Sequence, residues 1–248
     1  MIKFFRNIRQ NLLSEGKTSK YLKYAIGEIV LVVIGILIAL QLNTWNAQRI
    51  QENEIRATYE RVLEEINSTR EQVLQKTTMF DSILIARNKQ SLRLIQLKDK
   101  DSIHKIYESI RALSNVVIVS YDMPSTSEFL NNENISNVKN TTLKTLFLNL
   151  KRSLQFGTVV DDYANTQLNT IIEPYIIKNL NYAQMIRGTD MVAINTLSDS
   201  SFFFDNLELE NLLNLKIETD NTKKSYLKTF EAILKRTAEE INTELNKK

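Results

Sequence analysis

From Ile29 to Leu40 the chain carries an uninterrupted apolar run, set between a basic segment and Trp45. A helix drawn from Tyr24 to Trp45 is about 33 Å long at 1.5 Å per residue, enough for a hydrocarbon core of roughly 30 Å with aromatic side chains at both interfaces. The run therefore predicts one transmembrane helix at residues 24–45, with Tyr24 and Trp45 as the interface belt. A cleaved signal peptide is the rival reading. It fits badly, because the basic flank is long and the run ends Ile38-Ala39-Leu40-Gln41-Leu42-Asn43 without a small-x-small pair for a peptidase.

Charge sets the expected orientation. Residues 1–23 carry Lys3, Arg6, Arg9, Lys17, Lys20 and Lys23 against Glu15 alone, so the positive-inside rule keeps this segment cytoplasmic. Removing those six bases and one acid from totals of 32 and 29 leaves 26 basic and 28 acidic residues for 24–248. The large remainder, expected in the periplasm, then has no concentrated positive field, and nucleic acid is not an expected partner. The chain has no cysteine, which removes disulfides and thiolate metal sites. Met1, Phe5, Ile8 and Leu12 fall at helical spacing, with Phe4 and Leu13 on the shoulders. This pattern suits a short helix lying on anionic lipid, with a basic tail that only fixes topology as the alternative.

Particular stretches of this N-terminal region resemble a known family. Met1-Ile2-Lys3-Phe4-Phe5-Arg6, Leu12-Leu13-Ser14-Glu15-Gly16-Lys17, Tyr24-Ala25-Ile26-Gly27-Glu28-Ile29, and Gly35-Ile36-Leu37-Ile38-Ala39-Leu40-Gln41 through Trp45-Asn46 are similar to the start of a family of membrane-anchored proteins from flavobacteria and other Bacteroidota. The similarity is specific over about the first fifty residues. Further on, Pro124 to Asn137 resembles a proline-led helix and loop of that family, but Asn-rich residues stand where a Ser-Gly pair is usual. The resemblance implies a single-pass inner-membrane protein with a helical domain outside, and it carries over no functional residue.

Within the crossing, Glu28, Gly35 and Ala39 lie within about 20° of one line on a helix of 100° per residue, with Leu42 close by. Gly35-x-x-x-Ala39 is a small-x-x-x-small pair that lets two backbones approach, and an ionisable group in the membrane normally faces protein or water. The face at Glu28, Gly35, Ala39 and Leu42 is thus a candidate contact with a second copy or another membrane protein. Glu28 also lies five residues from Lys23, near enough to reach the interface or to pair locally. Proton-coupled work at Glu28, in the manner of ion-driven stator subunits, is the remaining reading.

Beyond the membrane the periodicity is helical nearly throughout, and the predicted fold is all-α: one transmembrane helix followed by an elongated antiparallel helical bundle at 46–248. Ile55, Tyr59, Val62, Ile66, Val73, Phe80 and Ile83 give one stripe on a helix of about 45 residues. Without Pro or Gly between Leu40 and Lys98, the crossing is expected to continue into it as a stalk, unless the polar Asn43–Asn53 stretch forms a hinge. A second helix is expected at Ser102–Ser114, with Val116–Val119 drawn into helix because no second strand exists to pair with it. Ser125-x-x-Glu128 has capping-box spacing after Pro124, and Asn131–Asn140 reads as loop. A long helix from Leu143 towards Pro174 has Gly157 and Pro174 as weak points. Residues 175–197 read as helix with a break near Arg187-Gly188, and Ser198–Asp205 as loop. Leu207–Ile217 is expected as a separate helix feeding the final one at 222–246.

Candidate chemistry is sparse. His104 is the only histidine, which excludes His pairs and His-metal clusters, and it is expected to be exposed. Asp161-Asp162 with Tyr163 is a weak cation candidate, since adjacent carboxylates on a helix point about 100° apart. Glu64-Glu65 and Glu239-Glu240 read as solvated faces. Phe202-Phe203-Phe204 is expected to plug the core, with membrane or partner contact as alternatives. The expected function is a membrane-anchored scaffold or interaction protein of the cell envelope with membrane lipid as a partner, no cofactor and no enzymatic role. A ligand-sensing periplasmic module is a further class; its cytoplasmic segment of about 23 residues is too short for an output domain, so it would relay through a partner.

Overall fold

The computed structural model describes residues 18–98, 100–131, 133–185 and 200–247, and all regular structure among them is helical. The chain divides into two compact units, Met1–Ala57 and Thr58–Lys248. Helix α1, Thr18–Met79, contributes to both. The polar Asn43–Asn53 stretch is helical along its whole length.

In the second unit, the α1 residues from Thr58 on bury Tyr59, Val62, Ile66, Thr69 and Val73, the stripe that the spacing predicts. A π-helical turn, Phe80–Ile85, then joins α1 to α2, Ala86–Leu97. Thr77, Thr78 and Ser82 hydroxyls donate to the carbonyls four residues back, competing with the backbone ladder where the helix widens. The wider turn shifts the apolar register. Leu84 and Ile85 are buried, while Ile83, expected inside, is exposed. Helix α2 stops at Lys98, which adopts a left-handed conformation with φ 51°.

Helix α3, Ile103–Ile110, and the 3-10 turn Arg111–Ser114 occupy the span expected for the second helix. The Val116–Val119 expectation is corrected: residues 115–123 are neither helix nor paired strand. They form a strap whose backbone groups are satisfied by side chains, as detailed below. Helix α4, Pro124–Asn131, follows. Its first turn is capped by Glu65 from α1 and not by the Ser125–Glu128 box: Glu65 accepts from the N–H of Ser125 (3.1 Å), the N–H of Thr126 (2.8 Å) and the Thr126 hydroxyl (2.6 Å). A carboxylate at that position also complements the positive end of the helix. Glu65 is therefore a cap and no mere solvated surface acid.

A 3-10 turn at Glu133–Asn137 interrupts the predicted loop. Asn140 then caps α5, Thr141–Gln167, accepting from Leu143 N–H at 3.0 Å while donating to Glu240 and Glu244. Glu240 is thereby also more than a solvated charge. Gly157 causes no break in α5; it lies under Tyr226, and a Cβ there would sit 2.5 Å from the phenol oxygen. A second π-helical turn, Leu168–Ile172, leads into α6, Glu173–Asn179. Glu173 N–H donates to Leu168 five residues back, so the wide turn falls just before Pro174, whose ring crowds a regular helix. The short α7, Tyr182–Met185, comes next, and the Arg187-Gly188 break lies outside the described residues.

Phe203 and Phe204 are buried and Phe202 partly so, with Phe203 edge-on to Tyr107 at 5.1 Å, in agreement with a core plug. The final helix is corrected to a single element, α8, Leu207–Leu245, capped by Asn206 at Leu209 N–H. It runs antiparallel to the end of α1 and the π-helical turn after it, as the pairs Arg70–Glu231 and Asp81–Lys224 show, and to α5, as Asn140–Glu240, Ser153–Tyr226 and Gln167–Thr219 show. The second unit is thus an antiparallel helical bundle built around α8.

Candidate functional site

The predicted membrane face lies on α1 in the first unit. Every large apolar side chain from Ile29 to Leu40 is 48–71% exposed, and an added Cβ at Gly27 or Gly35 would meet nothing within 4 Å. Leu42 and Trp45 are exposed, Ala39 is exposed, and Glu28 is half-buried and engaged in an interaction. Helical geometry brings Glu28, Gly35, Ala39 and Leu42 onto one face. Lys23 is exposed. Lys3, Arg6, Arg9 and Lys17 lie outside the described residues, as do the side chains of Lys20 and Tyr24. Ala25 onward qualifies as a candidate span, with a mean hydropathy of 2.6 over its best window and none of that window buried.

A second site, in the bundle, is built from charge that periodicity hides. Asp161 on α5 and Lys223 on α8 form a buried ion pair at 2.8 Å. The other carboxylate oxygen accepts from Val119 N–H at 2.9 Å and Ser120 N–H at 2.7 Å. Lys223 also donates to the Val117 carbonyl at 2.9 Å, and Lys76 on α1 donates to the Ile118 carbonyl at 2.7 Å while sitting 4.3 Å above the Tyr121 ring. Three helices thus supply, through side chains, the hydrogen bonds that a neighbouring strand would have given the strap. Burial alone would raise the Asp161 carboxyl, but the Lys223 ammonium and the Ser120 N–H outweigh it and hold the pKa below its ordinary value. Burial pulls Lys76 down, against the opposing charge of Asp161.

One turn away along α8, Lys216 pairs with Asp220 at 2.7 Å, and Thr219 donates to Gln167 at 2.6 Å. Burial pushes the Asp220 carboxyl up despite Lys216. Its second oxygen accepts no hydrogen bond.

These groups make clamps. Asp161 spends its lone pairs on the lysine and the strap, which leaves it with the chemistry of a fastener and corrects its reading as a cation candidate; Asp162 beside it is exposed. Among the described residues no group of three or more His, Cys, Asp or Glu converges as a metal site, and His104 is exposed. The signal for this layer was present in the sequence. Lys216, Thr219, Asp220 and Lys223 continue, at three-four spacing, the buried stripe of Leu209, Leu212 and Leu213 before and Tyr226, Leu227 and Phe230 after. The polarity of Thr219 and Asp220 disguised core positions as a gap between two helices. Comparison with protein-family models, with curated proteins and with solved structures found no match.

Proposed function

We propose that this chain is a single-pass, membrane-anchored envelope protein: residues 1–23 cytoplasmic, the inner membrane crossed at 24–45, and the helical bundle acting in the periplasm as an interaction or scaffold domain. This is the reading that the resemblance to the Bacteroidota family also implies. The observation that carries it is a contrast between the two units. Among the described residues the bundle buries forty apolar residues to 9% exposure or less and leaves its exposed ones scattered, whereas the first unit leaves an unbroken apolar run uncovered. An uncovered run of that size is costly in water and natural in lipid.

The face carrying Glu28, Gly35, Ala39 and Leu42 is the contact through which the anchor meets a second copy or another envelope protein. Gly35 and Ala39 would let the partner backbone come close, and Glu28 would turn away from lipid. In native membranes, Ala39→Cys is expected to be captured by thiol crosslinking, to itself or to one reproducible protein. Leu37→Cys, on the opposite face, is expected to be captured far less. Monomer alone from both variants, with no reproducible partner after purification in mild detergent, would contradict the reading.

A further inference from the structure

In the bundle, some charged side chains on different elements are matched: Arg70 with Glu231, Lys98 with Asp205, Lys223 with Asp161 and Lys224 with Asp81. One cleft instead gathers cations. Arg87 on α2, Lys105 on α3 and Arg111 on the 3-10 turn that follows α3 line a single cavity of about 330 Å³, together with Gln90, Glu108 and Met185. Among the described residues none of these three cations takes part in an ion pair. Glu108, the one acid among the described residues of the wall, is already engaged. Three cations against one carboxylate leave the cleft in want of a dianion.

The cleft is also firmly based. Ser109, on the same wall, shares a buried hydroxyl hydrogen bond of 2.6 Å with Ser91 on α2 and donates to the Ile106 carbonyl at 3.1 Å. The helices carrying Arg87 and Lys105 are therefore pinned together by hydrogen bonds and by the packing of Ile95, Ile106, Tyr107 and Ile110. Two guanidinium groups suit the paired oxygens of a phosphate, an ammonium adds charge, and Gln90 and Met185 offer a polar and an apolar contact for the organic part. The volume sits at the low end of the range of about 300–1,000 Å³ usual for small-molecule sites.

We infer that this cleft binds a small phosphate monoester through Arg87, Lys105 and Arg111. The inference rests on the bundle alone and stands or falls apart from the membrane anchor.

The test is calorimetric titration of the full chain in mild detergent with glycerol phosphate and with inorganic phosphate, at constant ionic strength set by chloride. Saturable binding at one site per chain is expected. Arg87→Gln and Arg111→Gln should each weaken it by about tenfold or more, since a charge-assisted hydrogen bond contributes on that scale. Lys89→Gln removes an exposed charge on the same helix outside the cleft and should leave it unchanged. Displacement of glycerol phosphate by vesicles containing phosphatidate would identify a lipid headgroup as the natural source, and vesicles without effect would identify a soluble ester; both keep the site. Absence of saturable binding with either probe, or equal weakening by Lys89→Gln, would overturn it.

Discussion

Asp161→Asn is expected to destabilise the bundle by about 3–5 kcal/mol, because it leaves the buried Lys223 ammonium without its counter-charge. At roughly 2–4 °C per kcal/mol for a unit of this size, the melting temperature should fall by roughly 6–20 °C. Thermal unfolding of the full chain in mild detergent, followed by near-ultraviolet tyrosine dichroism, reads this directly. Removing both charges, in Asp161→Asn with Lys223→Met, should cost less than Asp161→Asn alone, because no unpaired ion then remains inside.

The pH dependence has a definite sign. The folded-state pKa of Asp161 lies below its ordinary value, so its contribution is fully present above the unfolded value of about 3.9 and is lost as pH falls through the folded value. The stability gap between wild type and Asp161→Asn should therefore be constant near neutrality and shrink in strong acid. A gap that widened on acidification, or a neutral-pH effect below about 1 kcal/mol, would show that Asp161 does not clamp the strap.

Gly157→Ala should destabilise as well, against the usual effect of that change in a helix. Alanine ordinarily gains about 0.5–1 kcal/mol over glycine in a helix interior. Here the new Cβ would meet Tyr226 at 2.5 Å from its oxygen and 2.9 Å from Cζ, with the Ser120 backbone at 3.4 Å behind. Tyr226 cannot yield easily. It is buried, its hydroxyl donates to the Ser153 carbonyl at 3.0 Å, and its ring stacks on Phe230 at 5.7 Å. Overpacking of this kind costs about 1–3 kcal/mol, and a net loss is expected. Tyr226→Phe removes the closest atom, so the double variant should be less destabilised than the sum of the two singles in urea unfolding. Stabilisation by Gly157→Ala would mean that α5 and α8 are not so closely apposed.

Much of the architecture was legible in the sequence where apolar spacing and local chemistry agree. The stripe from Tyr59 to Val73 and the burial of Phe203 and Phe204, with Phe202 partly covered, followed from hydrophobicity alone. Most of the misreadings share one cause: polar groups used inside the fold. Residues 218–221 fell between two expected helices and are the middle of α8. Val116–Val119 had no strand to pair with, and spacing could not reveal that Asp161, Lys223 and Lys76 from three distant positions would stand in for one. Ser125 and Glu128 had the right spacing for a local cap, yet Glu65, sixty residues away in sequence, takes that role. Ile83 lost its core position to a π-helical turn, which periodicity of 3.6 does not anticipate. The long apolar run was plain in the sequence because hydrophobicity alone marks it, whereas the proposed phosphate cleft gathers cations from three elements and has no linear signature.

The absence of cysteine makes the central claim directly measurable, since any introduced thiol is the only one present. Single-cysteine variants Asn7→Cys and Lys235→Cys, treated with a membrane-impermeant maleimide in cells whose outer membrane alone is permeabilised, report the side on which each part of the chain lies. The account predicts that Lys235→Cys labels at once, that Asn7→Cys labels only after the inner membrane is disrupted, and that both proteins stay in the membrane pellet after carbonate washing. Full-length protein free in the cytosol, or Lys235→Cys shielded until lysis, would contradict it.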